Sequence, residues 1–238
     1  MQLKAMELQL NQLSYHRGDK PLINNINLHS ASQHCTALLG ENGAGKTLLL
    51  YLCHGLLKPS CGEVLWNAHP PHAWRGAITM VFQKPLLLRR TAYKNIDHAL
   101  FLQGLPRAKR TTRIMTALEQ VGMTEYRECH AHLLSGGQQQ RLAIARAWAL
   151  QPSVVLMDEP TSDLDINSAA TVENIIKDMQ RSGIKIIITT HNLAQVKRLC
   201  DEVIFMNRGR LLSHSNKDDF FKGATEKPIC TFIQSQEF

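Results

Sequence analysis

The stretch "GENGAGKT", Gly40 to Thr47, constrains the fold of this chain more than any other. It has the pattern G-x-x-x-x-G-K-[ST]. The apolar run "CTALLG" precedes it, and "KTLLLYLCHGLL", a segment of helical length stopped by Pro59 and Gly62, follows it. A buried strand, a glycine-rich turn and a helix in this order form a cradle for phosphates. Gly40, Gly43 and Gly45 let backbone N–H groups converge without side chains in the way. The helix adds its positive N-terminal end. Lys46 reaches the terminal phosphates of a triphosphate, and the Thr47 hydroxyl is placed to ligate Mg²⁺. Glu41, Asn42, Ala44 and Leu48 complete the phosphate-binding set. Each charge-assisted hydrogen bond in such a cradle contributes about 1.5–3 kcal/mol.

Two later stretches answer the cradle. "VVLMDEP" reads as a buried strand that delivers Asp158 and Glu159 at its C-terminal end, where ligands of open α/β sheets sit. Asp158 is placed to hold Mg²⁺ through water, and Glu159 to polarise or position an attacking water. "LSGGQQQRLAIARA" starts a helix at Ser135–Gly137, with Ser135 as N-cap and glycines that open the backbone. This is a second anion-binding helix N-terminus. One cradle does not need two such nests for the same phosphates. A two-fold dimer, in which each nest covers the nucleotide in the partner's cradle, resolves the surplus.

The remaining pattern is α/β. "MELQLNQLSY" and "PLINNINLHS" alternate as half-buried strands, and "GEVLWN" and "AITMVFQ" are two more strand segments. "NIDHALFLQG", "RTTRIMTALEQVG" and "QQQRLAIARAWALQP" read as three helices inserted between strands. After "SVVLMDEP" come the helix "INSAATVENIIKDMQRSG", the strand "IKIIITT", another helix and "EVIFMNRGRLLSH". Alternating strands and helices predict a mainly parallel sheet with crossover helices. The domain reading is a core of 1–83 and 152–215, a helical subdomain of 84–151 carrying "LSGGQ", and a short tail of 216–238 with appended helix.

The six cysteines contain no C-x-x-C pair, which argues against zinc and dithiol redox chemistry. The N-terminus lacks an apolar signal core, and no apolar run approaches the ~18–20 residues of a membrane helix. The expectation is a reduced, cytoplasmic protein that does not cross a membrane by itself. The formal charge of +7 reads as a solvated surface.

"GENGAGKT", "VFQKP", "LLSGGQQQRLAIARA", "VVLMDEPTSDLD" and "IIITTHNLAQV" occur in this order. Together they resemble the nucleotide-binding subunit of an ATP-binding-cassette (ABC) transporter, over most of the chain from Leu8 to Leu212. The resemblance implies a P-loop NTPase core with an N-terminal antiparallel β part and an inserted α-helical subdomain. It implies an ATPase that uses ATP and Mg²⁺. Tyr15 would stack on adenine. Gln83 would sense Mg²⁺ and the attacking water and hinge the helical insertion. Ser135, Gly137 and Gln138 would meet the partner's ATP, Asp165 would lie at the dimer seam, and His191 would contact the γ-phosphate. Three positions depart from the family's pattern. Leu48 stands where a second Ser or Thr is common, which costs on the order of 1 kcal/mol of phosphate binding. Asp163 replaces a small residue, and "ASQHC" replaces a glycine–glutamate turn.

The implied partners are a second copy of the chain, integral-membrane permease subunits and, indirectly, a periplasmic or extracellular substrate-binding protein; no nucleic acid is expected. The chain would then sit on the cytoplasmic face of the inner membrane through the permease. The family's partners dock a short helix in the cleft after the glutamine, here bordered by "QKPLLLRRTAYKNIDHAL". "KPLLLRR" and the tail "DDFFKGATEKPICTFI" resemble ATPase subunits of tungstate-type oxyanion importers, with molybdate and, less closely, phosphate as related cargo. Exporter ATPases and soluble cassette ATPases, such as those of iron–sulfur assembly, share the core motifs and stay open. A P-loop kinase would need neither "LSGGQ" nor "SDLD".

Overall fold

The computed structural model describes residues 6–31, 35–223 and 227–235. The Ser32–His34 part of "ASQHC" and residues 224–226 and 236–238 of the tail lie outside the described residues. Strands β1 (Leu8–Arg17), β2 (Lys20–Ser30) and β4 (Cys61–Trp66) form an antiparallel sheet in the order β2-β1-β4. A six-stranded sheet contains β3 (Cys35–Leu39), β5 (Ile78–Val81), β6 (Val154–Asp158), β7 (Lys185–Thr189), β8 (Glu202–Asn207) and β9 (Arg210–Asn216). Its order is β5-β6-β7-β3-β8-β9, parallel except for the β8–β9 pair.

Every residue of β3, β6 and β7 is buried, because both faces of the sheet are covered. Alternate side chains serve two cores. Ala37, Met157, Ile186, Ile188 and Phe205 face most of the helices. Leu38, Leu156, Ile187 and Ile204 face the antiparallel sheet and helix α1 (Lys46–His54), meeting Leu10, Ile23, Leu50 and Trp66. The continuous apolar runs of the sequence thus come from a period of two that is satisfied on both sides.

Helices α2 (Ala92–Leu102), α3 (Arg107–Gln120) and α4 (Gly136–Ala149) lie between β5 and β6 in the chain and pack on one another through Ile96, Leu100, Ile114, Leu118 and Leu142. The sequence places the first two of these starts at Asn95 and Arg110; both helices begin three residues earlier. The Thr91 hydroxyl accepts the Lys94 N–H at 3.2 Å and so caps α2, while Pro106 stands immediately before α3, where a missing N–H costs nothing. Helices α5 (Ile166–Arg181) and α6 (Leu193–Leu199) complete the crossovers.

The stretch "EVIFMNRGRLLSH" divides into the hairpin β8–β9, turning at Arg208 and Gly209 with φ of 48° and 76°. The turn lies against the cradle. The Gly209 N–H donates to Ala44 O at 2.9 Å, and the Asn24 N–H donates to Gly209 O at 2.8 Å. A Cβ at Gly209 would fall 2.3 Å from Leu22 O, so only glycine fits.

The tail is more than an appendage. Helices α7 (Lys217–Gly223) and α8 (Lys227–Gln234) bury Phe220, Ile229 and Phe232 in the helical-side core. The Phe205 ring of β8 lies 5.3 Å from Phe232 and 6.0 Å from Phe220. No helix among the described residues is long and apolar enough to cross a membrane. Phe232→Ala is expected to destabilise the protein by about 3–5 kcal/mol, the usual cost of emptying a buried aromatic site. Chemical denaturation of the variant against the wild type measures it.

Candidate active site

The cradle forms where the central strand β3 ends, between β7 and β8. Two of its glycines are set by contact. A Cβ at Gly40 (φ 148°) would lie 2.2 Å from Met206 O, and one at Gly45 (φ 99°) would lie 2.8 Å from Ile23 Cδ1. Gly43 has open space around it and is set by φ alone, at 82°. Lys46 is buried and folds back over the loop, its Nζ donating to Gly40 O at 2.8 Å and Glu41 O at 3.1 Å. Burial lowers its pKa, and the nearby Glu159 and Asp158 carboxylates pull it back up. Leu48 is half-buried and packs against the core beneath α1, so it contributes apolar contact where a hydroxyl was the alternative.

The two acids meet the cradle at the end of β6. Asp158 Oδ1 accepts the Thr47 hydroxyl at 2.9 Å and the Thr189 hydroxyl at 2.7 Å. Glu159 has φ of 40°, in the left-handed region. Its N–H donates to Thr189 Oγ1 at 2.9 Å, and its Oε2 lies 3.3 Å from Nδ1 of His191. Gln83, just past β5, donates through Nε2 to Ser162 Oγ at 3.2 Å, and the Ser162 hydroxyl donates to Glu159 O at 3.1 Å. Thr47, Gln83, Asp158, Glu159 and His191 therefore form one connected group.

Tyr15 reaches the cradle indirectly. It is half-buried on β1 and registered opposite Ile23, whose Cδ1 is the atom that crowds Gly45.

The other predicted residues gather elsewhere. Ser135 and Gln138 form a reciprocal capping box: the Ser135 N–H donates to Gln138 Oε1 at 2.9 Å, and the Gln138 N–H donates to Ser135 Oγ at 3.3 Å. Gly136 and Gly137 open α4 as ordinary helical residues, with neither at positive φ, so the expected opening of the backbone is not their structural reason. A Cβ on Gly137 would lie 2.6 Å from Ser168 Oγ, so α4 and α5 approach too closely there for any side chain. Ser168 in turn donates through its hydroxyl to Asp165 Oδ2 at 2.6 Å, and Asp165 Oδ1 accepts the Asn167 and Ser168 N–H groups. The Ser168 hydroxyl and N–H hold the Asp165 pKa below the usual carboxylate range. Among the described residues no hydrogen bond or ion pair joins this second group to residues 40–47.

Sequence reasoning missed Thr189 and Ser162. Thr189 was submerged in the apolar run "IKIIITT", although a hydroxyl ending a buried strand is itself a signal.

The sequence model of the family described as ABC transporter matches residues 23–162. The chain belongs to the ABC transporter family. Its ABC relatives include the tungstate uptake system ATP-binding protein TupC of Peptoclostridium acidaminophilum, 35% identical over 91% of this chain and 100% of that protein. The methionine import ATP-binding protein MetN of Pasteurella multocida is also 35% identical, over 90% of this chain but 65% of its own length. Among solved structures, cbiO1 of Clostridium perfringens, part of the ABC transporter complex cbiONQ, superposes with a TM-score of 0.81 at 30% identity, covering 97% of this chain and 92% of that one. The fold is that of a P-loop NTPase, and as an ABC ATPase the protein binds and hydrolyses ATP.

Lys46→Ala removes the one cation inside the cradle sequence. Its expected effect is ~10–100-fold weaker ATP binding, the equivalent of one charged hydrogen-bonding group. Titration with a fluorescent ATP analogue checks it.

Proposed function

We propose that this protein is the ATP-hydrolysing subunit of an importer, that two copies close on two ATP molecules, and that closure drives separate membrane subunits. The observation that carries the reading is the division of the site. The phosphate cradle and the acids form one group, whereas Ser135, Gly137, Gln138 and Asp165 form another that is locked together by the capping box and the Gly137–Ser168 approach. A rigid second group with no bond to its own cradle is suited to complete the cradle of a two-fold partner.

Within each site the residues have separable tasks. The N–H groups of residues 40–47, the Lys46 ammonium and the N-terminus of α1 hold the phosphates. Thr47 and Asp158 fit Mg²⁺ because their hard oxygens, one of them anionic, already lie 2.9 Å apart. Bound there, the ion would neutralise phosphate charge, and Gln83, linked to Glu159 O through Ser162, would sense the ion and the attacking water. Glu159 orients the attacking water and takes up its proton, and His191, within 3.3 Å of the carboxylate, keeps that side chain aimed at the γ-phosphate end. Tyr15 provides the adenine platform.

The cleft between core and inserted helices supports docking of a membrane subunit. A cavity of about 400 Å³ is lined by His54, Trp74, Thr79, Ala99 and Arg146, among others. Beside it, "KPLLLRR" has no regular structure. It is shaped by Asn95, which accepts the Leu88 N–H and donates to Leu88 O, Arg90 O and Thr91 O. This holds Leu86 at 63% and Leu88 at 37% exposure. Arg146 donates to Leu86 O at 2.6 Å, burial lowers its pKa, and among the described residues no carboxylate pairs with it. Among the described residues, His54 Nδ1 and Thr79 Oγ1 are buried without hydrogen-bond partners. Exposed apolar side chains and unsatisfied polar groups on one side of the molecule support docking of another chain there. Through that chain the protein would associate peripherally with the cytoplasmic face of the membrane, and a substrate-binding protein on the far side would deliver the cargo.

The cargo assignment is a tungstate-type oxyanion, supported by the resemblance of "KPLLLRR" and the tail and by the likeness to TupC. The equal identity to MetN makes methionine the competing cargo. Glu159→Gln is expected to bind ATP yet lose ~10²–10⁴-fold in hydrolysis, and to accumulate as an ATP-bound dimer in size-exclusion chromatography with light scattering. A variant that stays monomeric at saturating ATP contradicts the two-fold reading. In cells given trace oxyanion, loss of the gene and Glu159→Gln should both lower cellular tungsten by mass spectrometry. Unchanged tungsten with reduced uptake of labelled methionine would reassign the cargo.

A further inference from the structure

In strand β7 the apolar residues 186–188 follow Lys185, and the last residue, Thr189, carries a hydroxyl that is fully buried. A buried hydroxyl is unfavourable unless it is hydrogen-bonded, and valine would fill the same volume in a β-strand with no such demand. At this position both capacities of the hydroxyl are used, each on one of the two acids. Oγ1 donates to Asp158 Oδ1 at 2.7 Å and accepts the Glu159 N–H at 2.9 Å. The strand register puts Thr189 directly opposite Asp158.

The two contacts act on different degrees of freedom. Asp158 Oδ1 receives Thr47 from α1 and Thr189 from β7, which together hold the rotation of the carboxylate. Glu159 sits at φ 40°, a conformation that glutamate adopts only where its surroundings hold it. Its N–H is shared between two acceptors on Thr189, the hydroxyl at 2.9 Å and the main-chain O at 3.2 Å, and the hydroxyl is the shorter contact. Two residues further on, His191 approaches the carboxylate of the same glutamate. The end of β7 thus grips Glu159 at its backbone and at its side chain.

We propose that Thr189 is a positioning residue for ATP hydrolysis: its hydroxyl, bridging the Asp158 carboxylate and the Glu159 amide, sets the metal-holding and water-orienting acids in register. The proposal rests on the roles given above to Asp158 and Glu159. It concerns how those acids are held, and the nucleotide's own binding groups, residues 40–47, do not include Thr189.

The test compares Thr189→Val, Thr189→Ser and Glu159→Gln with the wild type. Three quantities are measured: the steady-state kinetics of ATP hydrolysis, binding of a fluorescent ATP analogue without divalent ion, and Mn²⁺ binding to the ATP complex by electron paramagnetic resonance. Thr189→Val should lower kcat ~10–100-fold, as expected for slight misplacement of reacting groups. It should leave metal-free nucleotide binding unchanged and weaken Mn²⁺ binding. Thr189→Ser, which keeps the hydroxyl, should restore kcat and Mn²⁺ affinity towards wild type. Wild-type kcat and Mn²⁺ affinity in Thr189→Val overturn the proposal. So does a serine variant as impaired as the valine, or equal loss of metal-free nucleotide binding in Thr189→Val, either of which would make the role one of packing. A Glu159→Gln variant that hydrolyses ATP at the wild-type rate would instead overturn the underlying assignment, independently of Thr189.

Discussion

Asp158 Oδ1 accepts hydroxyls from two directions, Thr47 on α1 and Thr189 on β7. Three elements far apart in the chain depend on that one oxygen. Helix α1 brings the cradle, β6 brings the acids, and β7 brings the groups that hold the glutamate. Asp158 and Thr189 are buried and Thr47 is half-buried, so these groups have little water to fall back on. Asp158 therefore acts as a fixed point from which the positions of Lys46, Glu159 and His191 follow.

The fold supports this point from both faces of the sheet. Leu38, Leu156 and Ile187 press one way and Ala37, Met157 and Ile188 the other, so β3, β6 and β7 have no free face on which to shift. The cradle is braced from outside the parallel sheet as well: Ile23 closes on Gly45, and the Arg208–Gly209 turn bonds to Ala44 and Asn24. The antiparallel sheet and the β8–β9 hairpin thus help to shape a phosphate site to which they lend no catalytic side chain. The helical insertion has a comparable arrangement at its own edge. Buried Asn95 makes four hydrogen bonds to the segment after Gln83, and that scaffold keeps Leu86 and Leu88 turned outward.

Much of this was legible in the residues because the governing physics is local. The strand–turn–helix around Lys46, the acids closing "VVLMDE" and the Ser135 cap each depend on neighbours within a few positions, where glycine freedom, helix ends and alternating burial act. The start of α2 was misplaced because its cap, Thr91, lies upstream of the apolar periodicity. The tail looked appended because the partner of Phe232 is Phe205, distant in sequence on β8. The glycines of "LSGG" were credited with opening the backbone, whereas Gly137 is small to admit Ser168 of α5. In each case the deciding contact joins segments that only the folded chain brings together.

By itself, the sequence determined the α/β class, the phosphate cradle with Lys46 and Thr47, and the identity of the two acids. Those features follow from short-range sterics and from residue chemistry that survives in any context. Tertiary structure alone decided that Thr189 bridges Asp158 and Glu159, that Gln83 reaches Glu159 through Ser162, and that Gly137 lies against Ser168, whose hydroxyl donates to Asp165. These are hydrogen bonds and close approaches between elements dozens of residues apart. They are fixed by strand order and register, which no local pattern encodes.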